Sequence, residues 1–342
     1  KGFKKTEVGI IPSDWEVKPI AEVTSLMTNG FVGTVKSHYT DYEKGILYIQ
    51  GYNVEENGFN FNGIKRVTEE FQRHHLKSCL QEGDLLTIQT GDIGVTTIVP
   101  NELEGANCHA LIITRFKKDK AEPRFYSYYF NFPGGRKRLK EIETGSTMRH
   151  INVGDMSQMI IPYPTKAEQT AIADTLNDAD ALITQLEKLI AKKRSIKQGA
   201  MQELLKPKES WEVKKLKDFL EYEQPTKYLV TDTEYNDHNQ TPVLTAGKTF
   251  VLGYTNEEFG IFRSIPVIIF DDFTTATKYV DFRFKVKSSA IKILKPKKDI
   301  NLRFVYELMQ TIKFDSTDHK RYWISEYSSI EVKVPSPAEQ TH

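Results

Sequence analysis

The sequence predicts a mixed α/β (α+β) protein in which two similar strand-rich domains are separated by one long coiled-coil helix. Two signatures occur twice in the same order, an apolar row of helical spacing lies between the two copies, and each copy contains short apolar strand segments. With 342 residues, at about 100–200 residues per domain, the chain has room for two domains and a connector. The duplication further predicts a pseudo-two-fold arrangement of the copies.

The repeat is marked at both ends of each copy. Trp15-Glu16-Val17-Lys18 opens the first copy, and Trp211-Glu212-Val213-Lys214 opens the second. Pro162-Tyr163-Pro164 followed by Glu168-Gln169 closes the first, and Pro335-Ser336-Pro337 followed by Glu339-Gln340 closes the second. Ordered pairs of signatures at comparable separations indicate duplication. They predict domains over 1–166 and 207–337, with Trp15 and Trp211 as core anchors.

Strand segments are predicted where short apolar runs end at Gly, Asp, Asn or Pro, and helices before each closing signature. The strand segments are 85–88, 110–113, 266–270 and 291–294, and the helical segments are 125–132 and 302–311.

The segment 167–206 is predicted to be one helix, on the order of 58 Å long. Apolar residues along it alternate steps of four and three, which is the spacing of a coiled-coil seam. This row, which we assign to a subunit interface, consists of Ile172, Leu176, Ala179, Ile183, Leu186 and Ile190. The alternative is an amphipathic helix that lies on its own domain. A helix of this length is longer than either predicted domain can cover, so a partner helix is favoured.

Composition excludes several classes of protein. The 47 basic and 46 acidic residues are too balanced for a histone-like or an acidic disordered protein. No apolar run is long enough for a membrane span, and the first residues lack an apolar signal segment. Two cysteines are too few for a disulfide framework or a four-ligand zinc site. We therefore expect a soluble, cytoplasmic protein.

Motifs for catalysis or cofactor binding are missing from the sequence. No G-x-G-x-x-G occurs, and Gly247-Lys248-Thr249 has Pro242 where a phosphate loop needs its upstream glycine. Asp271-Asp272 follow an apolar strand and leave open an aspartate-stabilised turn, a ligand contact or acid–base chemistry. We expect no catalytic residue, no metal and no cofactor on this chain.

Positive charge is clustered in equivalent parts of the two copies. From 115 to 140 there are nine basic and two acidic residues interleaved with aromatic ones, and from 283 to 303 there are eight basic and one acidic. Basic density beside aromatic and polar groups is typical of nucleic-acid binding. A solvated face is the alternative for either run alone, and the repetition favours binding.

Three motifs together resemble the specificity (S) subunit of type I restriction–modification enzymes. They are 11–18 with its tryptophan, Gly83-Asp84-Leu85-Leu86 followed by Gly91-Asp92-Ile93-Gly94, and the first closing signature with its long helix. In the second copy, 241–248 and 267–273 resemble a frequent variant of the family's target-recognition domain. The resemblance covers essentially the whole chain.

The resemblance implies a non-catalytic subunit whose two target-recognition domains each read one half of a bipartite site on double-stranded DNA. It also implies modification subunits, which methylate adenine with S-adenosylmethionine, and restriction subunits, which use ATP and Mg²⁺. In the family the second closing signature opens another long helix. Here 338–342 is only the start of that helix. The apolar row therefore invites another chain, but a truncated helix, a naturally shortened subunit and pairing with a second protein all stay open.

DNA contacts are predicted from residue type and position, with phosphates bound by basic side chains and base edges by polar side chains after strand ends. The predicted phosphate ligands are Lys117, Lys118, Arg136, Lys137, Arg138 and Arg149 in the first copy and Lys278, Lys320 and Arg321 in the second. The predicted base readers are Gln89, Thr90 and Asp92, then Asp272, Thr274 and Thr275. A two-module protein-interaction scaffold is the alternative function.

Overall fold

A computed structural model describes residues 2–146, 149–245, 249–297, 299–316 and 320–341. The chain divides into two compact units, 1–188 and 189–342. Gly247 and Lys248 of the phosphate-loop-like motif lie outside the described residues. Among the described residues, no helix combines the length and apolar character that crossing a membrane requires.

Unit 1 contains thirteen strands and the first four helices of the described chain. The strands are β1 (Phe3–Thr6), β2 (Gly9–Pro12), β3 (Glu16–Pro19), β4 (Thr24–Asn29), β5 (Ile46–Ile49), β6 (Val54–Glu55), β7 (Gly58–Phe59), β8 (Lys65–Val67), β9 (Leu85–Ile88), β10 (Thr96–Ile98), β11 (Asn107–Cys108), β12 (Leu111–Phe116) and β13 (Ile160–Tyr163). The helices are α1 (Glu69–His74), α2 (Pro123–Asn131), α3 (Pro133–Glu141) and α4 (Val153–Gln158).

A single helix, α5 (Lys166–Leu204), begins in unit 1 and ends in unit 2. The other elements of unit 2 are β14 (Glu212–Lys215), α6 (Leu216–Phe219), β15 (Leu220–Glu223), β16 (Thr241–Leu244), β17 (Val251–Thr255), β18 (Val267–Asp271), β19 (Thr277–Val280), β20 (Lys285–Val286), β21 (Ile291–Pro296), α7 (Leu302–Thr311), α8 (Tyr322–Ser325) and β22 (Glu331–Val334).

The two units have the same sheet topology, which confirms the predicted fold class of two similar strand-rich domains joined by a long helix. The four-stranded sheet runs β10-β9-β12-β4 in unit 1 and β19-β18-β21-β15 in unit 2, antiparallel throughout. The three-stranded sheet runs β11-β5-β8 and β20-β16-β17, with one parallel and one antiparallel pair in each unit. The pseudo-two-fold arrangement and the exact domain boundaries stay predictions.

Opening and closing signatures pair as an antiparallel two-stranded ribbon in each unit, β3 with β13 and β14 with β22. The buried closing glutamines make the same contact: the Gln169 side chain donates to the Pro164 carbonyl at 2.9 Å, and that of Gln340 to the Pro335 carbonyl at 3.0 Å. Pro164 is therefore the counterpart of Pro335. Matching Pro162 to Pro335, as the sequence suggested, is wrong by two residues.

The repeated tryptophans anchor the cores as predicted. The Trp15 ring, which is half-buried, meets Phe125 of α2 edge-on at 6.2 Å, and the buried Trp211 meets Phe304 of α7 in the same way at 6.1 Å. In each unit a helix that precedes the closing signature thus packs against the tryptophan of the opening signature.

Helix α7 shows why the sequence folds this way locally. The Asn301 side chain accepts hydrogen bonds from the two N–H groups of Arg303 and Phe304, which caps the helix. Leu302, Val305 and Met309 then recur at helical spacing and are buried in the core. The predicted bounds 302–311 are confirmed.

Helix α5 confirms the predicted 167–206 segment to within two residues at each end. Thr165 caps its first turn: its hydroxyl accepts from the Glu168 N–H at 3.3 Å, while the Glu168 carboxylate accepts from the Thr165 N–H at 3.2 Å. The reciprocal pair satisfies two otherwise unpaired donors at the helix start.

The apolar row on α5 is exposed for most of its length. Leu176, Ile183, Leu186 and Ile190 are 39–53% exposed, and Ala179 is exposed as well. Ile172 differs, because it packs against the core of unit 1. Part of its apolar surface is therefore used within its own unit, and its assignment to a subunit interface stays a prediction.

Candidate nucleic-acid interface

Each unit presents a loop at the turn of the hairpin that joins an inner strand of the four-stranded sheet to an edge strand. Residues 89–95 join β9 to β10, and 272–276 join β18 to β19. Both leading strands are buried, so the chain reaches the surface only as it leaves them. Thr90, Asp92 and Thr274 are exposed there. Gly91 has φ +87°, a left-handed conformation that a glycine adopts without strain.

A second segment lies beside each loop, and an equivalent backbone hydrogen bond holds it there in each unit. The Ile151 N–H donates to the Gln89 carbonyl at 3.0 Å, and the Tyr322 N–H donates to the Asp272 carbonyl at 2.8 Å. Gln89 and Asp272 each follow the leading strand directly, so the two junctions are counterparts.

In both units a basic side chain stands two residues before the residue whose N–H donates to the junction. Arg149 stands two residues before Ile151, and Lys320 two residues before Tyr322, with Arg321 beside it. Each unit therefore pairs a polar hairpin loop with a basic segment. We call these two surfaces the loop-segment sites of units 1 and 2.

The loop-segment site of unit 1 is an open pocket of about 550 Å³. Its polar and charged lining consists of Thr90, Asp92, Arg136, Lys140, Glu143 and Arg149. Four predicted site residues meet here, and the Arg149 side chain is 76% exposed, with its guanidinium 3.6 Å from the Glu143 carboxylate. Lys140 was missed, although its position four residues after Arg136 on α3 places both on one helix face.

Two predicted phosphate ligands of unit 1 are bound to backbone carbonyls of the protein. The Lys117 ammonium donates to the Glu22 carbonyl at 3.1 Å, and Arg138 donates to the carbonyls of Glu7 and Ile160. Buried or half-buried donors are satisfied by protein acceptors in this way. In this structure backbone carbonyls hold Lys117 and Arg138, and their phosphate contacts stay predictions.

Arg136 lines the pocket but is also committed to the protein. It donates to the Ile93 carbonyl at 3.2 Å and pairs with Glu56 at 2.9 Å, with 21% of its side chain exposed. In this structure it holds the loop, and its phosphate contact stays a prediction. Lys118 and Lys137 are exposed outside this pocket, and their phosphate contacts stay predictions.

In unit 2 the hairpin turn is stabilised by aspartate, one of the alternatives the sequence left open. The Asp271 carboxylate accepts from the N–H groups of Phe273 at 2.9 Å and Thr274 at 3.3 Å. The Arg321 guanidinium lies 6.0 Å from the Phe273 ring. Thr274 and Arg321 are thus brought to one surface.

The remaining candidates of unit 2 are less closely grouped. The Lys320 ammonium pairs with Glu326 at 2.6 Å. Thr275 is half-buried in the turn, and Lys278 is exposed on β19, 6.0 Å from the Phe250 ring. Their DNA contacts stay predictions.

Two predicted base readers are buried. Asp272 has no exposed surface; its carboxylate accepts from the Trp323 N–H at 2.8 Å and lies 3.3 Å from the Lys292 ammonium. Gln89 is only 9% exposed. A base edge has no access to either side chain, so both predictions are wrong.

Unit 2 contains a further buried ion pair, between Glu257 and Lys285. Burial alone would raise the pKa of the Glu257 carboxyl. Hydrogen bonds from Lys285, from the Asp232 N–H and from Thr231 outweigh burial and lower this pKa to about 2. The Glu257 carboxylate therefore stays charged near neutral pH, and its contact with Lys285 fixes the loop that follows β17. Among the described residues, no group of three or more His, Cys, Asp or Glu side chains is placed to hold a metal ion.

Comparison with known protein families identifies the class of protein to which this duplicated fold belongs. Residues 12–198 match the model of the type I restriction modification DNA specificity domain. The chain belongs to this family.

Particular relatives are type I specificity subunits. The chain is 53% identical over 128 residues to the type I restriction enzyme EcoR124I/EcoR124II specificity subunit of Escherichia coli, a match covering 36% of this chain and 32% of that protein. It is 28% identical over 212 residues to the putative type I restriction enzyme MjaX specificity subunit of Methanocaldococcus jannaschii, covering 60% and 48%. The chain thus spans a third to a half of the length of these relatives.

Among solved structures, the S subunit of a type I restriction–modification system from M. genitalium has a similar fold. The TM-score is 0.67 at 19% identity, covering 95% of this chain and 86% of that chain.

Proposed function

We propose that this chain is a sequence-specific DNA-binding specificity subunit that reads a bipartite target, with one loop-segment site on each half. The observation that carries the proposal is the repetition of the site. The same strand junction holds a polar loop beside a basic segment in both units, although few of the residues are identical.

Phosphate contacts would position each unit, and base edges in the major groove would provide discrimination. In unit 1 we assign phosphate binding to Arg149 and Lys140, and base reading to Thr90 and Asp92. In unit 2 we assign phosphate binding to Lys320 and Arg321, and base reading to Thr274. An aspartate oxygen accepts from a cytosine or adenine amino group, and a hydroxyl suits either sense of hydrogen bond.

The chemistry belongs to partner subunits in this proposal. The exposed apolar row of α5 recruits modification subunits, which carry S-adenosylmethionine, and restriction subunits with ATP and Mg²⁺ join the complex. This chain itself contributes no catalytic residue, and it acts in the cytoplasm, where the DNA is.

Binding to random duplex DNA across about 50–200 mM salt tests the proposal against a protein-interaction scaffold. We expect the affinity to fall steeply with salt, by about 10³-fold or more if six or more phosphates are contacted. The purified chain should neither methylate nor cleave the DNA. Weak binding that does not depend on salt would favour the scaffold, and methylation or cleavage without added subunits would contradict a non-catalytic role.

A further inference from the structure

The junction of the unit 2 site is built around a buried ion pair that the proposed contacts leave unexplained. Asp272 is fully buried and Lys292 is 1% exposed, and their charged groups are 3.3 Å apart. A buried pair of this kind loses the hydration of both charges, so its presence is weak evidence for a purely stabilising role.

Asp272 connects the two parts of the site through consecutive amides. Its carbonyl accepts from the Tyr322 N–H at 2.8 Å, and its carboxylate accepts from the Trp323 N–H at 2.8 Å. Phe273 follows Asp272 in the hairpin loop, and Arg321 precedes Tyr322 in the basic segment. The residue thus fixes the distance and orientation between loop and segment, while the Lys292 ammonium orients the carboxylate.

Unit 1 provides an internal comparison. In the strand pairing, Phe270 faces Lys292 in unit 2, and Thr87 faces Ile112 in unit 1. Ile112 therefore occupies the place of Lys292, and Gln89 that of Asp272. In unit 1 the backbone hydrogen bond of the junction forms with neutral residues at both places, so the ion pair is specific to unit 2.

We propose that Asp272 and Lys292 are positioning residues. By holding Thr274 and Arg321 in place, they set which bases these two residues recognise in the second half of the target. This inference rests on the proposed function. The pair itself makes no contact with DNA. It acts by holding the hairpin loop and the basic segment, which both contact DNA, in one register.

The test is selection by the full chain from a pool of duplexes with a randomised central segment, followed by sequencing. The wild-type chain should enrich a motif of two defined parts. The double variant Asp272→Gln/Lys292→Ile installs the neutral pair of unit 1. It should lower discrimination in one part by about tenfold, the scale of one base contact, and leave the other part unchanged. The charge-conserving Lys292→Arg should retain both parts.

Controls separate positioning from loss of folding. Thermal unfolding is measured for every variant, and Lys287→Ile removes an exposed lysine of the same unit and should leave the motif unchanged. If the double variant does not fold, Asp272→Asn, which keeps an acceptor for the Trp323 N–H, takes its place. A folded variant that enriches the wild-type motif in both parts would overturn the inference. Failure of the wild-type chain to enrich any motif would instead refute the proposed function, and this inference with it.

Discussion

Replacing Ile183 and Leu186 with glutamate is expected to abolish association with the modification subunits and to leave DNA affinity unchanged. Both side chains are about half exposed on α5 and support neither unit's core. Burying each against a partner helix would contribute about 1.5–3 kcal/mol. Losing both, with charges placed at the interface, should weaken the complex by at least about a hundredfold.

Co-purification of the modification subunit with the chain, followed by titration, measures this effect. The matched control is Ala181→Glu/Gln185→Glu, which adds the same two charges to exposed positions on the opposite side of the helix. The control should bind normally. If both double variants associate as the wild type does, the apolar row is not the interface.

Removing Arg149 and Lys140 together should cause the second large loss, in DNA binding. The two cations line one pocket beside Thr90 and Asp92, and Arg149 is mostly exposed. Because each phosphate contact releases a counterion, the double alanine variant should reduce the slope of log affinity against log salt by about 1.8. A contact to a guanine edge would add about 1–3 kcal/mol of lost discrimination at one base pair.

Fluorescence anisotropy with one duplex at several salt concentrations provides both the affinity and the slope. Lys44→Ala/Lys77→Ala is the matched control, because it removes two exposed lysines of unit 1 that do not line the pocket. An equal loss in both variants would mean that binding depends on overall charge, and the pocket assignment would be contradicted.

Elements with strong periodicity were predictable from the sequence because local pattern and tertiary burial agree. The α5 row, the α7 face and strand 85–88 were found with nearly correct bounds. The location of both sites at the ends of inner strands was also predictable, since a chain leaving a buried strand must turn at the surface.

Individual side chains were harder to predict because their partners are distant in sequence. Asp272 follows a strand, as a base reader would, but the amide of Trp323 covers it from 51 residues away. Arg138 belongs to the basic run 115–140, yet its acceptor carbonyls lie on Glu7 and Ile160. The sequence reveals where charged residues are dense. Only the packed structure reveals which charged side chains remain available to contact DNA.

The central claim is that two homologous units discriminate DNA sequence while the chemistry belongs to other polypeptides. Methylome sequencing of a host that carries this gene with its neighbours, with and without a deletion of this gene alone, tests it most directly. We expect methylated adenine in a motif of two fixed parts separated by unspecified bases, and its disappearance in the deletion strain. A motif that persists after the deletion, or one made of a single uninterrupted block, would contradict the claim.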